Sequence, residues 1–300
     1  MYSSPVTIEA LLVLDAIESR GSFASAAEQL NKVPSALSYI VQKLEEQLSV
    51  TLFIRQGRRS VLTSAGRHLL DEGRKVLAAV SKITEQTQTI SYGWEPRIRI
   101  AFDSIYEIQQ LFSPLAQFLS EHPKIELDLS EEVMNGSWES LREDRIDLLV
   151  GAPAPVPNHQ GIRSKKIGQF KQVFVVPKGH QLSWINKPIS KSDISDYRTI
   201  IVHDTAQKDI PRSSNIIEKS QHFFVNSIEH KIQAIIAGLG IGYLPKQRIR
   251  SFIKDGSLVE IEIEDAPKTT DQFIAWKIAN KGKGLRRLRD IILQHQNQQG

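Results

Sequence analysis

Residues 22–48, SFASAAEQLNKVPSALSYIVQKLEEQL, decide the fold at the head of the chain. Ser22 is a helix-capping residue, and Phe23, Ala26, Ala27 and Leu30 follow at the i, i+3, i+4, i+7 spacing of a buried helical stripe. Asn31, Lys32 and Val33 make a short turn. Pro34 then suits the first turn of another helix, since its ring fixes a helical φ and the N–H it lacks would be unpaired there. Leu37, Val41, Leu44 and Leu48 form that helix's inward stripe and leave Pro34, Ser35, Ser38, Tyr39 and Gln42 on the opposite side. Two helices around a tight turn, the second with a short polar flank, match a helix-turn-helix that lowers its second helix into the major groove. Serine hydroxyls reach base edges or phosphates without holding the helix away, and the Gln42 amide suits adenine. The same spacing also fits a plain three-helix core with serines facing water.

Upstream, Thr7 caps a first helix whose stripe is Ile8, Leu11, Leu12 and Ala16, ended by Gly21. Downstream, residues 52–62 read as two short strands around a Gln-Gly turn with Arg55, Arg58 and Arg59 near the tip. Such a wing grips phosphate, while a solvated arginine cluster is the plainer alternative. The candidate DNA contacts are Ser22, Lys32, Pro34, Ser35, Ser38, Tyr39, Gln42, Arg55, Arg58 and Arg59. From 63 to about 91 there is no proline, and Leu69, Gly73, Val76, Val80, Ile83, Thr87 and Ile90 recur in steps of four and three. This is a heptad seam, weakened at Gly73 and Thr87, and a second copy of the chain buries it most simply. Leu69, Val76, Val80, Ile83 and Ile90 are the expected dimer contacts; packing against the chain's own body is the competing view. A two-fold dimer places two reading helices on one DNA face and calls for inverted half-sites.

The 300 residues include 40% hydrophobic and 24% charged positions, enough for more than one packed core. The longest run without Asp, Glu, Lys or Arg, 148–162, has 15 residues and three prolines, too short to span a bilayer. The opening residues carry Glu9 and Asp15 within their apolar run, unlike a secretory signal, so a cytoplasmic location is expected. With no cysteine, disulfides, thiol catalysis and thiolate metal sites are excluded. The net charge of +4 is too small to imply a general nucleic-acid coat, so any basic site must be local.

The run Gly21-Ser22-Phe23, Ala26-Ala27, Leu30, Ser35-Ala36-Leu37-Ser38, Lys43 to Leu48, Leu52-Phe53, Arg55 and Leu62 to Gly66 resembles the N-terminal signature of LysR-type transcriptional regulators. The resemblance implies a winged helix-turn-helix, a linker helix that pairs subunits, and a two-lobed α/β effector domain shaped like a periplasmic binding protein. It further implies promoter DNA as partner, a small-molecule effector, and a homodimer that assembles into a tetramer. The expected organisation is a DNA-binding domain over 1–62, a linker and dimerisation helix over 63–92 and an effector-binding domain over 93–300. Lobe I then takes about 93–163 and 269–300, and lobe II about 164–268. The chain departs from the pattern at Val33-Pro34, where Ser-Gln is usual, and at Tyr39-Ile40, where Arg-Gln is common, so no operator sequence is carried over.

After Gly93 and Pro96, strands over 97–102, 125–131 and 147–151 alternate with helices over 105–121 and 136–144. Such alternation predicts a parallel sheet whose ligands lie beyond the strands' carboxyl ends. Strands over 172–177, 199–202, 223–225 and 242–244, with a helix over 228–237, make a second unit. A strand over 273–277 and a helix over 285–294 return to the first. The cleft between the units is the expected ligand site. Its candidate residues are Asp103, Ser104, Tyr106, Val133, Met134, Asn135, His203, Asp204, Thr205, Asn226, Ser227 and Tyr243. Strand-end Ser, Asn and Asp also cap helices, and Ser227 is the clearest case. Asp103, Glu107, Glu131, Glu132 and Asp204, with Tyr106, Trp138 and Tyr243, suggest an acidic, aromatic mouth suited to a cationic or aromatic effector.

Gly238 to Gly242 reads GxGxG but follows a helix and lacks a third glycine, so a helix end turning into a strand explains it better than a nucleotide site. The basic tail, Lys277 to Arg289, reads as the wet face of a helix whose apolar side is Leu285, Leu288, Ile291 and Ile292. There is no GxSxG, HExxH or Walker A pattern, and no histidine pair at helical metal spacing. No catalytic residue, metal or cofactor is therefore expected. A periplasmic solute receptor, the third reading, would need a signal peptide and no DNA-binding head.

Overall fold

The computed structural model describes residues 4–56, 59–158, 161–185, 188–211, 216, 217 and 219–299. The chain divides into two compact units, Met1–Thr87 and Gln88–Gly300.

In the first unit, α1 (Ile8–Arg20), α2 (Phe23–Gln29) and α3 (Pro34–Leu48) form a three-helix head. Thr7 Oγ1 accepts from the Ala10 N–H at 3.1 Å, and Ser22 Oγ from the Ser25 N–H at 3.2 Å. Gly21, at φ 72, closes α1 by donating to the Ile17 carbonyl. Leu14, Ile17, Ala26, Ala27, Leu37, Val41 and Leu44 share one core. The stripe on α1 is wider and rotated from expectation: Val13, Leu14 and Ile17 are buried, whereas Leu12 is 45% exposed and Ile8 also faces water. With α2 and α3 both packed on it, α1 needs more than one narrow apolar face. The hairpin of β1 (Phe53–Gln56) and β2 (Arg59–Leu62) pairs Phe53 with Leu62 and Gln56 with Arg59. It is tied to α3 by Glu45, whose Oε1 accepts from the N–H groups of Leu52 at 2.6 Å and Phe53 at 3.1 Å. The long helix α4 (Ser64–Tyr92) follows at once. Gly73 is not a weak point in a seam: a Cβ there would stand 2.5 Å from Leu11 Cδ2, so the glycine lets α4 approach α1.

In the second unit, β3 (Arg97–Asp103), α5 (Gln109–Glu121), β4 (Glu126–Glu132), α6 (Asn135–Arg142), β5 (Leu148–Pro153) and β6 (Ile162–Phe170) lead into β7 (Gln172–Pro177). There follow α7 (Lys191–Ile194), β8 (Thr199–Val202), β9 (His222–Val225), α8 (Ile228–Ile236), β10 (Gly242–Pro245), α9 (Arg250–Lys254) and β11 (Leu258–Ile261). β12 (Thr270–Lys277) and α10 (Lys283–Gln299) complete the chain.

The first lobe is a sheet in the order β4-β3-β5-β12-β6. Its β3 is parallel to β4 and β5, but β12 runs antiparallel to β5 and β6, so the sheet is mixed rather than parallel. Ile98, Ile100, Leu148, Ile274 and Phe118 pack there with Leu285, Leu288, Ile291 and Ile292 of α10. The second lobe joins the antiparallel β10-β7-β11 sheet to the parallel pair β8-β9 through a bridge between Thr199 and Ile241. Two further boundaries move. Strand β6 stays in the first sheet to Phe170, so the first crossing falls near 171 rather than 163. The helix expected from 105 begins at Gln109, because Asp103 Oδ1 accepts from the Ile105 N–H and the Asp103 carbonyl from the Tyr106 N–H, holding a turn first. Gly238, at φ 75, lies in the turn after α8 and before β10. Among the described residues no helix is long and apolar enough to cross a membrane.

Candidate nucleic-acid interface and ligand cavity

On α3, Leu37, Val41 and Leu44 are buried while Pro34, Ser35, Ser38, Tyr39 and Gln42 are exposed, Tyr39 to 64%. The polar flank is thus uncovered within the first unit. Ser38 Oγ donates to the Pro34 carbonyl at 3.1 Å, and Gln42 Nε2 to Glu46 Oε1 at 2.9 Å, contacts that nucleic acid can replace at little cost. Lys32 forms an ion pair with Glu9 at 2.8 Å across the surface. Ser22 is held as the cap of α2. Arg55 lies on β1 and Arg59 on β2, but their side chains, like Arg58 as a whole, lie outside what the structure describes. Along α4, Leu69 is half-buried, but Val76 and Val80 are exposed, Ile83 is 62% exposed and Ile90 86%.

Between the carboxyl ends of β3 and β5 and the second lobe lies a cavity of about 340 Å³. Of the expected residues, Asp103, Ser104, Val133, Met134, Asn135 and Tyr243 line it. The other six do not. Tyr106 is buried beneath Gly151, its hydroxyl accepting from Gln296 Nε2 at 2.6 Å. His203 stacks on Phe224, Asn226 faces water, and Ser227 caps α8 by accepting from the His230 N–H.

Asp204 and Thr205 bind the protein itself. The Asp204 carboxylate accepts from the N–H groups of Asn135 and Gly136, and Thr205 Oγ1 meets the Val133 N–H and the Glu132 carboxylate. From the other side, the fully buried Glu139 carboxylate accepts from the N–H groups of Gln207, Lys208 and Asp209 and pairs with Arg145 at 2.7 Å. Burial alone would raise the Glu139 carboxyl, but the Asp209 N–H, Arg145 and the other backbone donors outweigh it and hold it at about 2. These residues form a clasp between the lobes.

The charge of the cavity also differs from expectation. Asp204 and Glu132 are consumed by the clasp, and neither they nor Glu107 or Glu131 line the cavity, so the acidic mouth is absent. Asp103 remains, accepting from Ser137 Oγ at 2.6 Å and from the Ile105 N–H, and burial pushes its carboxyl up to about 7. Against it stand two lysines not foreseen as lining residues: Lys268 at the mouth and Lys231 within the wall. Lys231 is only 9% exposed, and burial brings its ammonium down to about 8. The ionisable groups lining the cavity are thus one carboxyl, Asp103, and two ammoniums, Lys231 and Lys268. The aromatic part of the expectation retains a basis in Trp138, Phe170 and Tyr243. One sequence signal marks Lys231: it occupies the inward stripe Ile228, Lys231, Ile232, Ile235, where a charge is out of place unless the helix faces a polar space.

Residues 8–67 match the bacterial regulatory helix-turn-helix proteins of the lysR family, and residues 92–297 match the LysR substrate binding domain. The uncharacterized HTH-type transcriptional regulator YeeY of Escherichia coli strain K12 is 34% identical over 286 residues, covering 95% of this chain and 93% of its own. The probable HTH-type transcriptional regulator YhaJ of the same strain is 35% identical over 278 residues, with 93% of each chain covered. Among solved structures, full-length CbnR complexed with its target DNA shares the fold at a TM-score of 0.61 and 17% identity, over 97% of this chain and 100% of that one. The Vibrio cholerae virulence activator AphB does so at 0.57 and 19%, over 96% and 99%. With both parts matched along nearly the whole length, the chain belongs to the LysR family of DNA-binding transcriptional regulators.

Proposed function

We propose that this LysR-type regulator reads promoter DNA through the flank of α3 formed by Pro34, Ser35, Ser38, Tyr39 and Gln42, and that a small molecule in the cavity between the lobes sets how it does so. The single supporting observation is that this flank is polar, built of short side chains around Tyr39, and uncovered, while Leu37, Val41 and Leu44 on the opposite side are buried. Arg55, Arg58 and Arg59 of the wing then meet phosphate or the adjacent minor groove. The exposed apolar seam of α4 pairs two copies, two such dimers make a tetramer, and the paired heads read inverted half-sites. The effector acts by binding one arrangement of the two lobes better than another, a difference of about 1–3 kcal/mol in a typical coupled system.

The test is fluorescence anisotropy of the full chain on a DNA fragment taken upstream of its own gene, over a salt series. Specific binding that weakens steeply with salt is expected. Equal affinity for that fragment and for scrambled DNA would overturn the proposal. The relatives that match the chain are transcriptional regulators, so no reaction is assigned to the cavity.

A further inference from the structure

We infer that the cavity takes an organic monoacid, its carboxylate on Lys231 Nζ and its flat or branched apolar body between Trp138, Phe170 and Tyr243. This rests on the proposed function and names the ligand class for the same site.

The argument begins with Lys231, which is nine-tenths buried on the inward stripe of α8 and lines the cavity. Among the described residues no carboxylate lies within ion-pair distance of its Nζ, and no carbonyl or hydroxyl accepts from it. Its Nζ is not sealed off from the cavity, yet burial of the side chain disfavours the charge, and an anion arriving in the cavity offsets that cost as it binds. The surroundings are shaped for the lysine stem. Gly242 on β10 passes close by: a Cβ there would stand 3.2 Å from Lys231 Cε and 3.4 Å from Nζ. At neutral pH the ammonium remains protonated, since burial brings it down only to about 8.

The other groups favour the same sign of ligand. Asp103, on the first lobe, is engaged by Ser137 and the Ile105 N–H and does not pair with Lys231. Lys268 at the mouth adds a second positive charge. An ammonium ligand would meet like charge in a low-dielectric wall, where repulsion is least screened. Apart from these groups the walls are chiefly apolar, with Pro153, Pro155, Ile201 and Ile228 beside the three aromatic rings. About 340 Å³ is near the lower end of ligand pockets, roughly 300–1,000 Å³, which favours a small acid over a nucleotide-sized one.

The experiment uses the full chain with benzoate, phenylacetate, 3-phenylpropionate and 4-methylvalerate, each beside its amide and its amine, plus inorganic phosphate and sulfate. Thermal shift and calorimetry are read for the wild type, Lys231→Met and Lys231→Arg. At least one acid is expected to bind and stabilise the wild type, its amide and amine to do neither, Lys231→Met to weaken it by about thirtyfold or more, and Lys231→Arg to restore part of the loss. Preference for an amine or amide, equal acid binding by Lys231→Met, binding of phosphate or sulfate without any acid, or no binding by any acid would each overturn the inference. Comparison of acid with amide on the wild type keeps the test decisive if Lys231→Met folds poorly. Promoter binding measured on the same preparations separates the two proposals: if it persists while the acids fail, the ligand class falls and the DNA-reading assignment stands.

Discussion

The carboxylate of Asp204, on the second lobe, accepts a hydrogen bond at 3.0 Å from the N–H of Gly136, in the first turn of α6 on the first lobe. It also accepts from Asn135 at 3.2 Å and, within its own loop, from Ala206 at 2.8 Å. A carboxylate from one lobe thus caps a helix of the other, and the favourable end of the helix dipole adds to the contact. Loss of a cap of this kind costs about 1–2 kcal/mol. Asp204→Ala is expected to destabilise the effector unit by that amount and Asp204→Asn by less, read as the denaturant midpoint of the full chain. An unchanged midpoint would show that this cap carries no stability.

Ser38 is exposed on the flank opposite Leu37 and Val41 and, among the described residues, bonds only to the Pro34 carbonyl one turn back. Ser38→Glu leaves the core untouched and points a carboxylate at the phosphates. Like charges brought together across an interface cost several kcal/mol, so promoter affinity should fall by about a hundredfold or more. Circular dichroism and the sedimentation coefficient should not change. Loss of the oligomer in place of DNA binding would reassign that face to subunit contact.

Val76, Val80 and Ile83 present consecutive apolar side chains to water along α4. If a second copy covers them, Ile83→Asp places an unpaired charge in the middle of the interface. The dimer dissociation constant should rise by about thirtyfold, equivalent to about 2 kcal/mol. Analytical ultracentrifugation over a dilution series reads this directly, and an unaltered association constant would move the interface elsewhere. The head should still melt as before, because Leu70 and Gly73, not Ile83, carry the packing of α4 on its core.

How much of this was legible in the sequence depended on how local the deciding contacts are. The head was readable because Thr7, Ser22 and Pro34 act within three residues of themselves and the stripes of α2 and α3 are short and clean. The stripe of α1 was misread at Ile8 and Leu12 because two helices pack on α1, a tertiary fact. Strand β6, IRSKKIGQF, has no apolar alternation because it is a largely exposed edge strand, placed only by its pairing with the distant β12. Asp204 and Thr205 looked like ligand contacts at a strand end, but the backbone donors of α6 compete for the same oxygens and win. Lys231 left a trace in the stripe of α8, yet the cavity that explains it is assembled from segments spread between Asp103 and Thr270.

Asp103 and Lys231 line the same cavity and leave opposite marks on the pH dependence of stability. Burial raises the Asp103 carboxyl from 3.8 to about 7, so between those values the folded chain holds a proton that the unfolded chain has released. Stability from this group is complete below about pH 4 and is lost as pH rises through 7, by about 4 kcal/mol at most. Burial lowers Lys231 from 10.5 to about 8, so between those values the unfolded chain holds the extra proton and stability rises with pH. The full penalty of the buried ammonium, about 3 kcal/mol, is present below 8. Burial also raises the carboxyls of Glu95 and Glu132, so the contribution of Asp103 must be obtained by subtraction. Asp103→Asn should flatten the fall between pH 4 and 7 without touching the alkaline limb. Lys231→Met should remove the rise between 8 and 10.5 and leave the acid limb alone. Denaturant midpoints at unit steps of pH test both at once, and a variant that flattens the wrong limb would refute the burial assigned to that side chain.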